Sequence, residues 1–425
     1  MTEVKQPELG NLELNAGFNL NEINSDKKFA FRAYPQVIKY MGSKAQLLPF
    51  ISSAISKLHV PGKPIVDLFS GACAISGGFG GSEKIISNDI QSYSAVISSC
   101  YLKKVSNISS DLILSLAQSY FDKNSSHLSN DLKYPKVVAL DEFLKIEAKN
   151  QSLIDKSFEF SYHLFTKNYS GTWWSAEQCL WIDSIKQALD VAYKANDITE
   201  TDYNLGLTCL MHAMAYSSQG TGHYAQYRDA KSESSMHDIN KYRQASVPNL
   251  FSRKLNALAI WNKSNVVELG HEILCKDYRD VLSDLEPSIV YADPPYAFVH
   301  YSRFYHAIET IVKYDYPTLQ IKNGKLVKGR YREDRHQSPF CIKTQVRSAF
   351  SQLLSGVAKS GSDLILSYSN TGMLGVQDII DIANLEMVDY TIWFEEIDHD
   401  HMTMGRKGDR SREVKEALIM ARKNG

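Results

Sequence analysis

The chain of 425 residues has few cysteines, almost no net charge and no long apolar run. Its six cysteines are scattered, and none forms a Cys-x-x-Cys pair, which argues against both a zinc site and a disulfide framework. No apolar stretch reaches the roughly 20 residues that span a bilayer. The N-terminus lacks the basic and apolar regions of a signal peptide. These absences predict a soluble cytoplasmic protein with reduced thiols and no membrane partner.

The charge balance gives no indication of a nucleic-acid partner. The 47 basic and 48 acidic residues nearly cancel, so only a local basic segment could provide a surface for phosphates. A hydrophobic content of 44% and a charged content of 22% are ordinary for a globular protein. The length predicts two or three domains.

The chain also lacks a phosphate-binding P-loop and a Gly-x-Gly-x-x-Gly fingerprint, yet its first third resembles a nucleotide-type βαβ unit. Apolar spacing predicts a helix over 47–58, and short apolar runs predict strands over 65–69 and 84–90. The turn Asp67–Ala74 is built from small residues that let a ligand approach the backbone, although a packing turn is the alternative. Asp89 ends the second strand, where it would accept hydrogen bonds from ribose hydroxyls or cap a helix.

The rest of the chain divides into a helical segment and a second set of strands. Residues 105–265 alternate amphipathic helical stretches with polar, aromatic-rich segments, which predicts an inserted domain. Strand signals return at 274–275, 289–291, 363–368, 390–394 and 416–420.

A rigid acidic turn follows the strand signal at 289–291. In Asp293-Pro294-Pro295-Tyr296, two prolines fix φ and remove two backbone donors. The Asp293 carboxylate and the Pro294 carbonyl are left as acceptors beside an aromatic ring. This set suits an exocyclic amino group on a nucleobase, which offers two N–H donors and a ring to stack. A plain turn at a strand end is the alternative.

Four motifs in a fixed order give the chain a family resemblance. They are Lys39-Tyr40-Met41-Gly42-Ser43-Lys44, the turn Asp67–Ala72, Asn88-Asp89 and, after the long insert, Asp293-Pro294-Pro295-Tyr296. In this order the chain resembles the alpha class of Dam-like adenine-N6 DNA methyltransferases, over roughly 38–95 and 270–420. The resemblance implies an α/β fold, a Rossmann-like methyltransferase sheet with an inserted, mainly helical target-recognition domain. The implied division is a polar extension (1–33), a catalytic domain (34–104 and 266–425) and a target-recognition domain (105–265).

The resemblance also implies S-adenosylmethionine as the cofactor and no metal. Asp293 and the Pro294 carbonyl would orient adenine N6 for in-line attack on the methyl group, and Tyr296 would stack on the flipped base. The chain departs from the family pattern at Cys73, where Gly is common, and at Tyr40, where Trp is frequent. The implied cofactor contacts are Tyr40, Lys44, Asp67, Phe69, Gly71, Asp89, Asp277 and Tyr278.

Local segments favour double-stranded DNA as the partner. Residues 322–347 hold eight basic and two acidic side chains, a pattern suited to phosphates or to a solvated loop. The loop 217–228 mixes glycines with amide, aromatic and cationic side chains that suit base edges. Residues 301–306 would cover the flipped base or start a packed helix, and 405–408 would grip a phosphate or form a hairpin turn. The candidate DNA contacts are Gln219, Tyr224, Gln226, Arg228, Arg303, Arg330, Arg332, Arg335 and Arg406.

The sequence therefore predicts a site-specific methyltransferase that transfers a methyl group from S-adenosylmethionine to N6 of a flipped adenine in duplex DNA. Three alternatives stay open: the same reaction on RNA, cytosine N4 as the acceptor, and a catalytically silent DNA-binding protein on this scaffold. The expected context is a bacterial or phage-encoded monomer, with a cognate restriction endonuclease as a candidate partner.

Overall fold

A mixed seven-stranded sheet organises the structure, a computed structural model that describes residues 30–220, 222–295, 300–400 and 413–425. Its strands are β1 (Ile65–Asp67), β2 (Ile85–Asn88), β3 (Glu272–Leu274), β4 (Ile289–Ala292), β7 (Asp363–Ser369), β8 (Tyr390–Asp400) and β9 (Glu413–Lys423), and β5 (Ile321–Lys322) and β6 (Lys325–Leu326) form a separate hairpin. The strand order is β3-β2-β1-β4-β7-β9-β8. The first five strands run parallel, while β9 is antiparallel to β7 and to β8. The predicted α/β class, with a largely parallel central sheet, is therefore confirmed.

Helices cover both faces of the sheet and fill the long connection between β2 and β3. The helices are α1 (Leu48–Leu58), α2 (Ala74–Phe79), α3 (Ser92–Leu102), α4 (Ser110–Ser125), α5 (Leu140–Gln151), α6 (Leu164–Tyr169), α7 (Ala176–Lys194), α8 (Glu200–Ser217), α9 (Glu233–Arg243), α10 (Val247–Asn265), α11 (Tyr278–Ser283), α12 (Tyr301–Phe304), α13 (His306–Lys313), α14 (Val346–Ser360) and α15 (Val376–Glu386). Within the described ranges, no helix is both long and apolar enough to cross a membrane.

The central strands bury side chains on both faces, as parallel strands between two helical layers do. In β4, Ile289 and Tyr291 belong to one core, shared with α1, α3 and the helices of the long connection. Val290 and Ala292 belong to the other core, shared with α14 and α15. The alternation follows from the two-residue period of a strand.

The connection between β2 and β3 is mainly helical, as the sequence predicts, and it shares a core with the sheet. The Sγ of Cys100 in α3 lies 3.0 Å from Oγ1 of Thr208 in α8. Asn262 in α10 donates to the carbonyls of Cys100 (2.8 Å) and Lys103 (2.9 Å). These buried contacts join α8 and α10 to α3, the first helix of the connection, which shares its core with the central strands. Its proposed role as a separate recognition domain, and the boundaries 105 and 265, stay predictions.

Part of the predicted N-terminal extension is packed against this βαβ unit. Arg32 donates hydrogen bonds to the carbonyls of Gly77 (2.9 Å) and Tyr101 (2.8 Å), which belong to α2 and α3. Residues 1–29 lie outside the described ranges.

The strand boundaries differ from the sequence prediction most strongly at the C-terminus. The short signals at 390–394 and 416–420 become two eleven-residue strands, paired from Tyr390↔Lys423 to Asp400↔Glu413. The additional residues of β8 are mostly charged or polar, so antiparallel pairing rather than burial extends the strand.

Candidate active site

A cleft opens where the C-terminal ends of β1 and β4 lie side by side, at the point where the strand order reverses. This is the usual position of a ligand site in an open α/β sheet. The cleft has about 1170 Å³ of empty space, part of it open to solvent. All eight predicted cofactor contacts and two residues of the predicted catalytic motif line it: Tyr40, Lys44, Asp67, Phe69, Gly71, Asp89, Asp277, Tyr278, Asp293 and Pro294.

The turn after β1 has a backbone conformation that brings it close to its neighbours. Gly71 has a φ of +49°, and a Cβ at this position would lie 3.0 Å from Oη of Tyr40. Cys73 also occupies the left-handed region, with a φ of 62°, where glycine is the usual residue. Its buried thiol lies 3.3 Å from the carbonyl oxygen of Ser94. Cys73 thus adopts the left-handed conformation that glycine favours, with its thiol packed in the interior.

Asp89 connects this turn to the start of α3. Its carboxylate accepts hydrogen bonds from the backbone N–H groups of Gly71 and Gln91, both at 2.9 Å. Burial raises the pKa of Asp89 to about 6, although these hydrogen bonds oppose the shift. Asp89 thus bonds the backbone just before α3, whose first N–H groups are bonded by Glu309 instead, and it faces the cleft.

An aromatic wall forms one side of the cleft. The ring of Tyr278 lies 5.5 Å from that of Phe69 and 5.4 Å from that of Phe340, between centroids. Asp277 precedes Tyr278 and accepts hydrogen bonds from the Nε (2.8 Å) and backbone N–H (2.9 Å) of Arg279, which lower the pKa of Asp277. The Asp277 carboxylate is thus held in place by its own helix, α11, beside the aromatic wall.

The turn containing Tyr40, which also lines the cleft, packs against α12. The Tyr40 ring stacks on Tyr305 at 4.4 Å and on Tyr301 at 5.7 Å, and Tyr305 Oη accepts from the backbone N–H of Met41 at 2.7 Å. Gly42, with a φ of +75°, lies close enough to Tyr301 that a Cβ would be 3.1 Å from its Oη. Residues 301–304 form α12, so this stretch begins a packed helix while Tyr301 still lines the cleft.

Asp293 lies at the end of β4 in a buried cluster of charged groups. Lys44 Nζ is 3.3 Å from Asp293 Oδ1 and 2.5 Å from Glu416 Oε1. Burial raises the pKa of Asp293 to about 7; Glu416 also raises it, while Lys44 lowers it. Burial and the nearby Asp293 likewise raise the pKa of Asp67 well above its usual range. The sequence prediction missed Glu416, whose only signal is a charged residue at the head of the apolar run 417–421.

Comparison with known proteins identifies the family of this chain. Residues 40–171 and 215–360, well over half of the sequence, match the family described as D12 class N6 adenine-specific DNA methyltransferase. The chain belongs to this family. This match includes parts of the helical connection, up to 171 and from 215, which the motif resemblance over 38–95 and 270–420 does not cover. It ends at 360, whereas the motif resemblance extends to about 420.

Curated relatives of this D12-class chain are modification enzymes of bacteria. The chain is 23% identical to modification methylase LlaI of Lactococcus lactis subsp. lactis, over 91% of this chain and 55% of the relative. It is 22% identical to modification methylase StsI of Streptococcus sanguinis, over 90% and 51% respectively. Type II methyltransferase M.NlaIII of Neisseria lactamica is 21% identical, over 81% and 87%. The chain thus spans about half the length of the first two relatives.

Four of the candidate DNA contacts of this D12-class chain are buried within the protein, and three of them are bonded there through their side chains. Gln219 donates to the Thr172 carbonyl, and Arg330 donates to the Asn168 carbonyl at 2.5 Å. Arg332 pairs with Asp315 at 2.6 Å. Tyr224 packs against two tryptophan rings. The expectation that these four side chains face DNA is therefore wrong for this structure, because long-range contacts bury groups that the sequence presents as a polar loop.

Four other candidates keep some exposure: Gln226 and Arg228 are exposed, and Arg303 and Arg335 are half-buried. Arg228 pairs with Asp238 at 2.5 Å. The guanidinium groups of Arg303 and Arg335 lie 5.9 and 5.0 Å from the centroid of the Tyr331 ring. Among the described residues, neither arginine has an acidic partner. Tyr296 and Arg406 lie outside the described ranges.

Proposed function

We propose that this protein transfers a methyl group from S-adenosylmethionine to N6 of an adenine in duplex DNA. The observation that carries the proposal is the position of Asp293. The sequence Asp-Pro-Pro places its carboxylate at the end of β4, inside the same cleft as the eight candidate cofactor contacts. Membership of the D12 class supports both the reaction and the adenine acceptor.

The residues of the cleft fit this cofactor. When bound, it supplies an electrophilic methyl group on a positively charged sulfur. Four carboxyl groups line the cleft, those of Asp67, Asp89, Asp277 and Asp293, which suits a cationic ligand. The Oδ2 of Asp67 is buried and makes no hydrogen bond to another described residue, so it is left for a ligand donor.

Particular residues would hold particular parts of the cofactor. Asp89 would accept hydrogen bonds from the ribose hydroxyls, Phe69 and Gly71 would form the pocket for the methionine part, and the ring of Tyr278 would stack on the adenine. Asp277, fixed by Arg279, would accept from the adenine amino group. Tyr40 would complete the pocket on the side of α12 and α13.

Asp293 and Pro294 would orient the acceptor. The lone pair of an exocyclic amino group is delocalised into the ring, so N6 is a weak nucleophile. An ionised Asp293 and the Pro294 carbonyl offer two acceptors for the two N–H groups, which turns the nitrogen lone pair towards the methyl donor. With a pKa of about 7, Asp293 is also suited to receive the proton that N6 loses after transfer.

The direct test is incubation with tritiated S-adenosylmethionine and, separately, duplex DNA, single-stranded DNA and RNA. We expect label on duplex DNA, recovered as N6-methyladenine after digestion to nucleosides. Label on RNA alone would contradict the choice of substrate, and label on cytosine N4 would contradict the choice of base. Binding to DNA without label on any substrate would favour a silent DNA-binding protein.

We also propose that duplex DNA crosses the mouth of the cleft over Arg303 and Arg335. Burial lowers the pKa of His300, a residue that lines the cleft, and the charges of Arg303 and Arg335 lower it further, so both arginines lie near this part of the cleft. The guanidinium groups of Arg303 and Arg335 lie against the same ring, that of Tyr331. Neither has an acidic partner in the described part of the chain, so the pair is suited to bind a phosphate. Gln226 and Arg228, exposed in the helical connection, are the remaining candidates for groove contacts.

Replacing Arg303 or Arg335 by alanine is expected to weaken DNA binding to a similar degree for all sequences. Each variant should reduce the slope of log affinity against log salt concentration by about 0.9, the value for one lost phosphate contact. Fluorescence anisotropy at several salt concentrations measures this slope. The control is Lys84→Ala, which removes one partly exposed positive charge at the start of β2, away from the cleft. An unchanged slope in both arginine variants would contradict the proposed path of the DNA.

We also propose a division of labour along the chain. Residues 105–265 would carry target recognition, and 34–104 with 266–425 would carry catalysis. Because the relatives are named modification methylases, we propose that the protein protects DNA from a cognate restriction endonuclease. We further propose that it acts as a monomer in the cytoplasm.

A further inference from the structure

Glu416 lies two strands away from Asp293, yet both side chains reach the same lysine. In β9, Glu416 is paired with Ser369 of β7 and with Ile397 of β8. Side chains two residues apart in a strand point to the same face of the sheet. Glu416 therefore shares a face with Leu418 and Met420, and Asp293 follows the alternation of Ile289 and Tyr291. All four of these apolar residues belong to one core, so Glu416 and Asp293 lie on the same face of the sheet.

Lys44 joins the two carboxylates from a short 3₁₀ helix (Lys44–Leu47) that precedes α1. Its Nζ is 2.5 Å from Glu416 Oε1 and 3.3 Å from Asp293 Oδ1. Only 2% of Glu416 and 6% of Lys44 is exposed, whereas 17% of the Asp293 side chain remains accessible from the cleft. The ammonium is therefore bound more closely by the buried acid than by the acid that faces the cleft.

We propose that Glu416 is a positioning residue for the catalytic motif, which anchors the Lys44 ammonium beside Asp293 and so sets both the orientation and the ionisation of Asp293. This inference rests on the proposed function. It goes further by giving a role to a residue of the last strand that the family motifs do not include.

Glu416 can position Asp293 because the Lys44 ammonium divides its contacts between these two carboxylates. A lysine ammonium is a point charge on a flexible stem, and without an anchor it would compete with the substrate amino group for the oxygens of Asp293. Glu416 takes the shorter contact and leaves Asp293 as an acceptor. Two carboxylates and one ammonium carry a net charge of −1 when all are ionised, which suits a cationic ligand in the cleft.

The charged and titratable groups around Asp293 act in opposite directions. Lys44 stabilises its ionised form, and Glu416 destabilises it. Tyr291 in β4 and Asp67 in β1 also interact with Asp293, and Asp67 destabilises its ionised form when it is itself ionised. Removal of the Glu416 charge should therefore lower the pKa of Asp293, whereas removal of the Lys44 charge should raise it.

The test compares wild type with Glu416→Gln and Lys44→Met in two measurements. In pH profiles of kcat/KM, activity falls as pH decreases through the pKa of Asp293. We expect this acidic limb to move to lower pH in Glu416→Gln and to higher pH in Lys44→Met. Turnover should fall at least about tenfold in Glu416→Gln, because the lysine loses its anchor. The control is Glu395→Gln, the same charge change on the adjacent strand β8, which should leave limb and rate unchanged.

The second measurement does not need activity. Titration of 13C-labelled aspartate carboxyls by NMR, with Asp293 assigned through Asp293→Asn, should show a lower Asp293 pKa in Glu416→Gln. If Glu416→Gln fails to fold, Glu416→Asp serves instead: it keeps the charge with a shorter reach, and we expect an unchanged limb with several-fold slower turnover. An unshifted Asp293 pKa in Glu416→Gln, or wild-type turnover in Glu416→Asp, would overturn the inference. Absence of label in the wild-type enzyme would instead overturn the proposed function.

Discussion

Replacing Asp293 by alanine should abolish measurable methyl transfer while leaving cofactor affinity largely intact. The variant loses the carboxylate that would accept an N6–H hydrogen bond and receive the proton, and such groups contribute roughly 10²–10⁴-fold to rate. The cofactor contacts proposed for Asp89, Phe69 and Tyr278 are unchanged. Transfer of tritiated methyl groups measures the rate, and calorimetry measures cofactor affinity. Asp280→Ala, at an exposed position of α11, is the control. Retained turnover would overturn the role given to Asp293.

Ionisation of the Asp293 carboxyl group should lower the free energy of unfolding at alkaline pH. The folded-state pKa of about 7 lies above the ordinary value of about 3.9, so the folded state binds more protons between these two values. Stability is then lost as pH rises from about 4 through about 7. Asp293→Asn removes this cost and leaves Lys44 paired with Glu416. We expect it to raise the melting temperature at pH 8 and to change it little at pH 4.

Arg243→Met should strongly destabilise the helical connection. The Arg243 side chain is fully buried, pairs with Glu147 at 2.7 Å and donates to the Thr172 carbonyl at 2.7 Å, so it joins α9 to α5 and to the turn before α7. Loss of one partner leaves a buried carboxylate without its cation, which costs about 3–5 kcal/mol. Urea denaturation followed by circular dichroism measures this change in the free energy of unfolding.

The matched control for Arg243 is Arg228→Met. Arg228 makes an ion pair of similar length with Asp238, 2.5 Å, but both side chains are more than 40% exposed. Exposed ion pairs contribute about 0–1 kcal/mol, so this variant should keep nearly wild-type stability. Equal losses in the two variants would show that burial of the Arg243 pair is not what stabilises the connection.

Much of the lining of the cleft could be predicted, because its residues stand at or just after the ends of strands. Asp67 ends β1 and is followed by Phe69 and Gly71, and Asp293 and Pro294 come directly after β4. The carboxyl ends of neighbouring parallel strands meet at one edge of the sheet, so the order of the motifs along the chain already implies that they are close in space. The small residues of the turn and the two prolines act locally, within a few positions of where they stand in the sequence.

Some of the candidate DNA contacts are buried, because their environment depends on residues far away in the sequence. Gln219, Arg330 and Arg332 occur in segments rich in glycine, polar and basic residues, which is also the composition of an exposed loop. Their partners Thr172, Asn168 and Asp315 lie 47, 162 and 17 positions away. No local pattern distinguishes a polar side chain that meets such a partner from one that meets water, because the difference arises only when the segments pack.

The sequence by itself determined the α/β class, the order of the motifs and the position of Asp293 at a strand end, since these follow from local periodicity and turn chemistry. Only the tertiary structure decided that Glu416 shares Lys44 with Asp293, which requires β9 to insert antiparallel beside β7, 123 positions along the chain from Asp293. It also decided which cations stay at the surface. Burial and long-range pairing set the charge and pKa of each group, and neither is encoded in the neighbouring residues.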